Sequence, residues 1–464
     1  MPTLAAIGIA LLAAAAQPVT AVVGRQEPAC PGPAPPSSPK AAPGVGYKVL
    51  LNGLSRPRGI TMDSEGNLLV VEGRNKGVTR VVLNDAEGLD VCVDSSDLLV
   101  DESTLNHGIA LSGDGKTLFV SSSTDVYAYP YDAAQGTVGE RKNIISGMRQ
   151  GGHSTRTLLV PQHNPDLLLV SRGSDGNVDE PTVDIKSGRS QLRTFVIADL
   201  MDADEPVEYT SGGVLGWGLR NSVGVADDPA TGNIWTVENS LDNMHRLGDD
   251  IHNSNPGEEL NFHGRPNDTD GDAYGRNFGY PGCLAIFDPS NVRDYPGGAD
   301  VGKQMTGDHL DDFSDEYCRD ETTAPRITFG SHLAPLDIKF LDDGSAALIA
   351  FHGSWNRKPP NGYRLSRVSF ADGMPTSKPN ANDAEEHLLW NADNADCPGS
   401  CFRPVALAVD KTGRAFMTSD SSGELFVVTG TQKQGAPEAP PNADGDAESG
   451  AKRSMRLQFG RWFW

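Results

Sequence analysis

GITMDSEGNLLVVEG (59–73) is one copy of a pattern that recurs five more times along the chain: an apolar strand, a turn carrying Asp, Asn or Gly, and a second apolar strand. The other copies read GIALSGDGKTLFVSS (108–122), LLVPQHNPDLLLVSRG (158–173), GVADDPATGNIWTVEN (224–239), IKFLDDGSAALIAFHG (338–353) and ALAVDKTGRAFMTSD (406–420). Each is a β-hairpin signal, with β-branched and aromatic residues on both sides of a turn. Early copies start about 50 residues apart and later ones wider, the period of propeller blades with loop insertions. The repeat predicts an all-β fold, a six-bladed β-propeller, whose loops gather round a central channel where a cofactor or metal sits.

Working outward, residues 22–46 are rich in Pro and Ala and read as an extended N-terminal arm. Before them, an apolar stretch from Leu4 to Ala16 and the small-residue site Val19-Thr20-Ala21 read as a signal peptide over 1–21. The alternative, a buried N-terminal helix, would need a polar face that this stretch lacks. The propeller is expected over 47–429, with a long polar insertion at roughly 240–330. Residues 430–464 have the composition of a disordered tail.

Of the 464 residues, 62 are acidic and 39 basic, a formal charge of −23. Such a surface repels nucleic acid and anionic lipid, so neither is expected as a partner. No interior apolar run reaches the length that spans a membrane. Six cysteines in a secreted chain point to disulfides, although they permit fifteen pairings. The expectation is Cys397 with Cys401, Cys283 with Cys318 across the insertion, and Cys30 with Cys92. Asn267-Asp268-Thr269 is a glycosylation sequon in a polar loop. Asp268, Asp270 and Asp272 lie close together but lack the Glu that an EF-hand loop needs at its twelfth position, so they read as a solvated loop.

Four stretches concentrate ionisable groups where strands meet loops. Gly151-Gly152-His153 precedes the third hairpin and offers a side chain that takes a proton near neutral pH. Gly218-Leu219-Arg220-Asn221 precedes the fourth, pairing a guanidinium fork with an amide. His352-Gly353-Ser354-Trp355-Asn356-Arg357-Lys358 leaves the fifth, and Arg403-Pro404 leads into the sixth. Blade geometry brings His153, Arg220 and Arg403 to one region, which implies a bound anion. No G-x-G-x-x-G lies in a βαβ unit and no phosphate loop precedes a helix, so a dinucleotide is disfavoured.

With those motifs in order over about 47–429, the chain resembles the soluble quinoprotein sugar dehydrogenases. It is most similar to their fungal branch, the secreted pyrroloquinoline-quinone-dependent pyranose dehydrogenases of auxiliary activity family twelve. The resemblance implies a sugar oxidised at its anomeric carbon, hydride passing to pyrroloquinoline quinone, and a calcium ion. It implies that His153 is the general base, that Arg220 and Asn221 bind the quinone oxygens and polarise the reacting carbonyl, and that Arg403 clamps a carboxylate. The place of a second clamping arginine is taken by Cys401. His352 and Arg357 stand where bacterial members carry a lysine, and inherit its cofactor contact. The backbone carbonyls of Ser240 and Leu241 match those that bind calcium, an ion suited to several hard oxygens. No C-x-x-C-H haem site is present, so electrons are expected to leave to a separate extracellular acceptor: a cytochrome, a copper-oxidase-type protein or a small quinone. The rival reading is a calcium-dependent propeller lactonase, which would hold its metal by side-chain carboxylates and amides.

Overall fold

Each of the six hairpins is the inner pair of strands of a separate sheet, and the sheets close into the expected six-bladed propeller. The computed structural model describes residues 30–432 apart from 36, 38, 74, 85 and 150. The signal peptide, the first part of the arm and the tail beyond 432 lie outside the described residues.

Blade one comprises Pro57–Met62, Leu68–Glu72, Gly77–Leu83 and Val93–Asp101. Blade two comprises Leu105–Leu111, Thr117–Ser122, Val126–Asp132 and Lys142–Ser146. Blade three runs from Leu158–Leu159 through Leu167–Arg172 and Gln191–Val196 to Gly213–Trp217. Blade four has Ser222–Asp227, Ile234–Glu238, Glu258–Gly264 and Ile327–Phe329, with most of the insertion before its last strand. Blade five has Pro335–Phe340, Ala346–Phe351, Arg364–Ala371 and Glu386–Asn391, and Pro39–Ala41 of the arm pairs with its outer edge. Blade six takes Pro404–Val409, Ala415–Ser419 and Glu424–Thr429 from the end of the chain and Gly46–Leu51 from its beginning.

The second strand of a blade is buried on both faces, which is why it reads as a continuous apolar run. In Leu68–Glu72 the alternation of side chains serves two neighbours. Leu68 and Val70 pack with Phe416, Leu425 and Val427 of blade six. Leu69 and Val71 pack with Leu118 and Val120 of blade two.

The innermost strands meet in a closed ring around the channel, each packed on the next. Glycine permits the tightest approaches: a Cβ on Gly59 would lie 2.0 Å from the His107 carbonyl oxygen, and one on Gly108 2.0 Å from that of Arg156. Second-strand hydroxyls clip blades together. Ser121 Oγ accepts from Gly108 N at 3.1 Å and donates to Arg156 O, in the next blade, at 2.7 Å. Thr418 Oγ1 repeats the device, accepting from Ala406 N at 3.1 Å and donating to Arg58 O at 2.8 Å.

Disulfides join Cys30 to Cys92, Cys283 to Cys318 and Cys397 to Cys401, as expected. Asn267 is exposed. Among the described residues no helix is long and apolar enough to cross a membrane.

Gly108→Val places methyl groups against both the Arg156 carbonyl and Ser121 Oγ. It is expected to lower stability by about 3 kcal/mol, the upper range for overpacking. Gly399→Ala, whose nearest neighbour would be 3.7 Å away, should change it by less than about 0.5 kcal/mol. Urea unfolding of the two variants checks the pair.

Candidate active site

Antiparallel pairing sets the start of each first strand beside the end of the second: Pro57 faces Glu72, Ser222 faces Glu238, Pro335 faces Phe351 and Pro404 faces Ser419. The loops before first strands and after second strands therefore share one face of the propeller. Nearly every first strand is also irregular at that end, with register shifts at Pro57/Ile60, Leu105/Ile109, Ser222/Gly224, Pro335/Asp337 and Pro404/Leu407. Such bulges turn side chains out of the alternation and re-aim them. All eight residues expected at the site lie on or beside this face.

His153 is half-buried in the loop before blade three, its Nδ1 3.0 Å from Ser174 O and 2.9 Å from Ser174 Oγ. The Ser174 hydroxyl donates to Gly176 O at 2.7 Å, so toward the imidazole it accepts. Both partners accept, which places the proton on Nδ1 and leaves the lone pair on Nε2. Burial, reinforced by the positive charge of Arg220, lowers the pKa of His153 to about 4. The ring is a neutral base at neutral pH. Gly173 lies between His153 and Asn221: a Cβ there would be 2.8 Å from His153 Cβ and 2.7 Å from Asn221 Oδ1.

Arg220 is buried and heavily engaged. Nε donates to Asn177 O at 3.2 Å, Nη1 to Asn239 O at 3.2 Å, and Nη2 to Asn177 Oδ1 and Asp242 Oδ2, both at 3.0 Å. Four of the five guanidinium N–H groups are thus spent. What remains suits one oxygen rather than a bidentate carboxylate. Asp242 also meets His332 Nδ1 at 3.3 Å, and His332 is raised above the ordinary histidine pKa because its bonds to Asp242 and the nearby Glu258 outweigh its burial.

Buried carboxyl groups hold this region from behind. Glu238 accepts from Arg220 N at 2.8 Å; Glu258 accepts from Ser240 N at 2.7 Å and Ala334 N at 3.1 Å. Burial and the adjacent Glu259 push Glu238 well above the usual carboxylate range, and burial takes Glu259 to about 7. Ser240 and Leu241 are buried, and their carbonyls accept no hydrogen bond among the described residues. Among those residues no group of three or more His, Cys, Asp or Glu could hold a metal, so a cation here would depend on carbonyl oxygens.

A second cluster spans blades five, six and one. Arg403 donates from Nε to His352 O at 3.2 Å and from Nη2 to Gly353 O at 3.0 Å, and its guanidinium carbon sits 5.7 Å from the centre of the Tyr363 ring. The Cys397–Cys401 disulfide packs against that tyrosine. His352 Nε2 lies 2.8 Å from Asp420 Oδ1, and burial lowers the pKa of the imidazole to about 4. Arg58 bonds the other Asp420 oxygen at 2.8 Å, and Arg56 approaches it at 3.7 Å. Arg357 donates to Ser331 O at 3.2 Å, while its Nε is buried without a partner among the described residues. The sequence reading missed Ser174, Arg56, Arg58 and Asp420. Asp420 had a signal, since it ends the sixth hairpin just as Glu72 and Glu238 stand near the ends of the first and fourth.

The two clusters belong to one face. Asn239 Nδ2 donates to Pro335 O at 2.8 Å, joining blades four and five, and Asn106 Nδ2 donates to Ser154 O at 2.8 Å, joining blades two and three.

The chain matches the family described as TrAA12-like over residues 39–431, and it belongs to that family. It is 41% identical over 395 residues to a pyrroloquinoline quinone-dependent sugar dehydrogenase of Hypocrea jecorina, covering 84% of this chain and 89% of that protein. A pyrroloquinoline quinone-dependent pyranose dehydrogenase of Coprinopsis cinerea is 38% identical over 416 residues; the match takes 86% of this chain but spans only 56% of that relative. The calcium structure of a Trichoderma reesei protein of Carbohydrate-Active Enzymes Family AA12 superposes with a TM-score of 0.82 at 42% identity, over 85% of this chain and 97% of that one. The PQQ-bound aldose sugar dehydrogenase of Streptomyces coelicolor, at 17% identity and a TM-score of 0.52, shares the fold.

Asp242→Asn removes a charge that favours protonated His332. The His332 pKa is expected to fall, as read from an NMR titration of ring-labelled histidines.

Proposed function

We propose that this chain oxidises a pyranose or related aldose at its anomeric carbon as a secreted quinoprotein, with His153 as general base and calcium as a second cofactor. The enzyme is an oxidoreductase of the pyrroloquinoline-quinone-dependent sugar dehydrogenase class. The observation that carries the proposed roles is the fixed tautomer of His153 beside Arg220 and Asn221 on a face with surplus guanidinium groups. Pyrroloquinoline quinone, when bound, supplies the hydride acceptor.

The residues present fit a planar polyanion with a cation beside it. Arg403 keeps three N–H groups unspent, the buried Nε of Arg357 is unpartnered among the described residues, and the remaining N–H of Arg220 can polarise one oxygen. Ser240 and Leu241 would hold calcium through their carbonyls, which supply hard neutral oxygens. Glu258 fixes the Ser240 amide from behind, so that loop is oriented before any ion arrives.

His153 Nε2 takes the proton from the anomeric hydroxyl while the C1–H bond breaks with its electron pair, as hydride, and the C1–O bond gains double-bond character. The new imidazolium, with Nδ1 already bonded to Ser174, then releases its proton to solvent, a step its low pKa favours. Electrons leave to a separate extracellular acceptor. A lactonase would need side-chain ligands for its metal, and the carbonyl pair at Ser240 and Leu241 favours the dehydrogenase.

His153→Ala is expected to retain quinone uptake while lowering kcat by about two to four powers of ten, the usual worth of a general base. An alanine variant with near-normal turnover would remove His153 from the mechanism. Because the folded enzyme keeps His153 neutral down to about pH 4, kcat/KM should fall along an acid limb near that pH. A limb at the ordinary histidine value of about 6.5 would contradict the assignment. Chelation should abolish sugar oxidation reversibly. Leu241→Pro is expected to weaken calcium binding in isothermal titration, and Ser240→Ala to leave it nearly unchanged, since only backbone oxygens are used.

A further inference from the structure

Three guanidinium groups surround a single carboxylate at the junction of blades five, six and one. Asp420 bonds Arg58 at 2.8 Å and His352 at 2.8 Å, while Arg56 stands 3.7 Å away and Arg403 is near enough to act electrostatically on Arg58. His352 is neutral at neutral pH, so it adds no charge. Two of the three arginine charges are therefore uncompensated, in a chain whose formal charge is −23.

The three arginines are not equivalent. Arg58 has a side chain only 11% exposed and is committed to Asp420 by a direct bond. Arg403 gives two N–H groups to the carbonyls of His352 and Gly353 and keeps the rest. Arg56 is 53% exposed at its side chain, and its contact with Asp420 is too long for a hydrogen bond. Its backbone is unusual as well. Arg56 has φ +55°, a left-handed conformation that a residue with a Cβ adopts only when its surroundings impose it. The imposition is visible: Arg56 N donates to Leu54 O at 3.1 Å, Gly73 N donates to Arg56 O at 3.0 Å, and the neighbouring Ser55 N donates to Glu72. A strained backbone thus presents a guanidinium that makes no side-chain hydrogen bond among the described residues and is near enough to act electrostatically on Arg403, where the resemblance implies a second clamping arginine and this chain carries Cys401.

We propose that Arg56, from blade one, replaces that missing arginine and with Arg403 forms the cradle for a carboxylate of the quinone. The assignment rests on the quinoprotein reading and deepens it. Arg58 then serves as a positioning residue, since by neutralising Asp420 it keeps that carboxylate from capturing Arg56.

The test is titration of calcium-loaded apoprotein with pyrroloquinoline quinone, followed by calorimetry and by the quinone absorbance. Arg56→Ala and Arg56→Gly are expected to raise Kd by about ten- to a hundredfold, the worth of a charge-assisted contact. Arg56→Lys should recover part of that loss. The glycine variant suits the positive φ, so a loss shared by both variants cannot come from backbone strain. The trimethyl ester of the quinone, which lacks the carboxylate charges, should bind wild type and variants alike. A Kd within twofold of wild type in both variants would overturn the proposal, as would an equal loss for the ester. A wild-type protein that takes up no quinone would overturn the quinoprotein reading itself, and is told apart because it shows before any variant is made.

Discussion

The innermost strand of each blade pairs on one side only, and the backbone groups along its other edge must find partners inside a crowded channel. An unpaired buried amide or carbonyl is costly, and an open strand edge invites the wrong neighbour. The hydroxyls of Ser121 and Thr418 resolve this by taking an amide from their own first strand and giving a proton to a carbonyl of the next. Thr157 Oγ1 to Val223 O and Leu407 N to Asp337 Oδ2 link other neighbours across the same ring. The spacing of the blades, and so the width of the channel, depends on these clips and on Gly59 and Gly108 leaving room for them.

Given that rigid ring, the active face divides its labour between exposed and buried groups. Glu238 and Glu258 accept from the backbone amides of Arg220 and Ser240. Anchoring the main chain from behind leaves the Ser240 carbonyl without a hydrogen bond among the described residues and one N–H of Arg220 unspent. On the other side of the channel Asp420 organises Arg58 and His352 in the same spirit, by a side chain that spends both oxygens on its neighbours.

Most of the fold was legible because each hairpin carries its signal within about 15 residues, the range over which apolar alternation and turn chemistry operate. The strand Pro39–Ala41 carried none: its partner Glu386–Asn391 lies at the far end of the chain, and a three-residue strand in a Pro/Ala-rich stretch has no periodicity to read. At the site, His153, Arg220, Asn221 and Arg403 stood out because ionisable groups gathered just before strands. Ser174 did not, since its effect on His153 exists only once the loop after blade three's second strand folds back. Arg56 and Arg58 were hidden for a different reason. They precede the first hairpin, where no earlier repeat was available to align with them.

The closing strand Gly46–Leu51 completes a blade whose other three strands are the last of the propeller to leave the ribosome. Until then it has no sheet to join. The bond between Cys30 and Cys92, together with Lys48 Nζ donating to Val91 O at 2.6 Å, ties this early segment to blade one, the neighbour of the gap it will fill. Tethering raises its local concentration at the docking seam, much as a short linker favours one binding partner over all others. In the folded protein the first strand is held beside the seam that the last three strands complete.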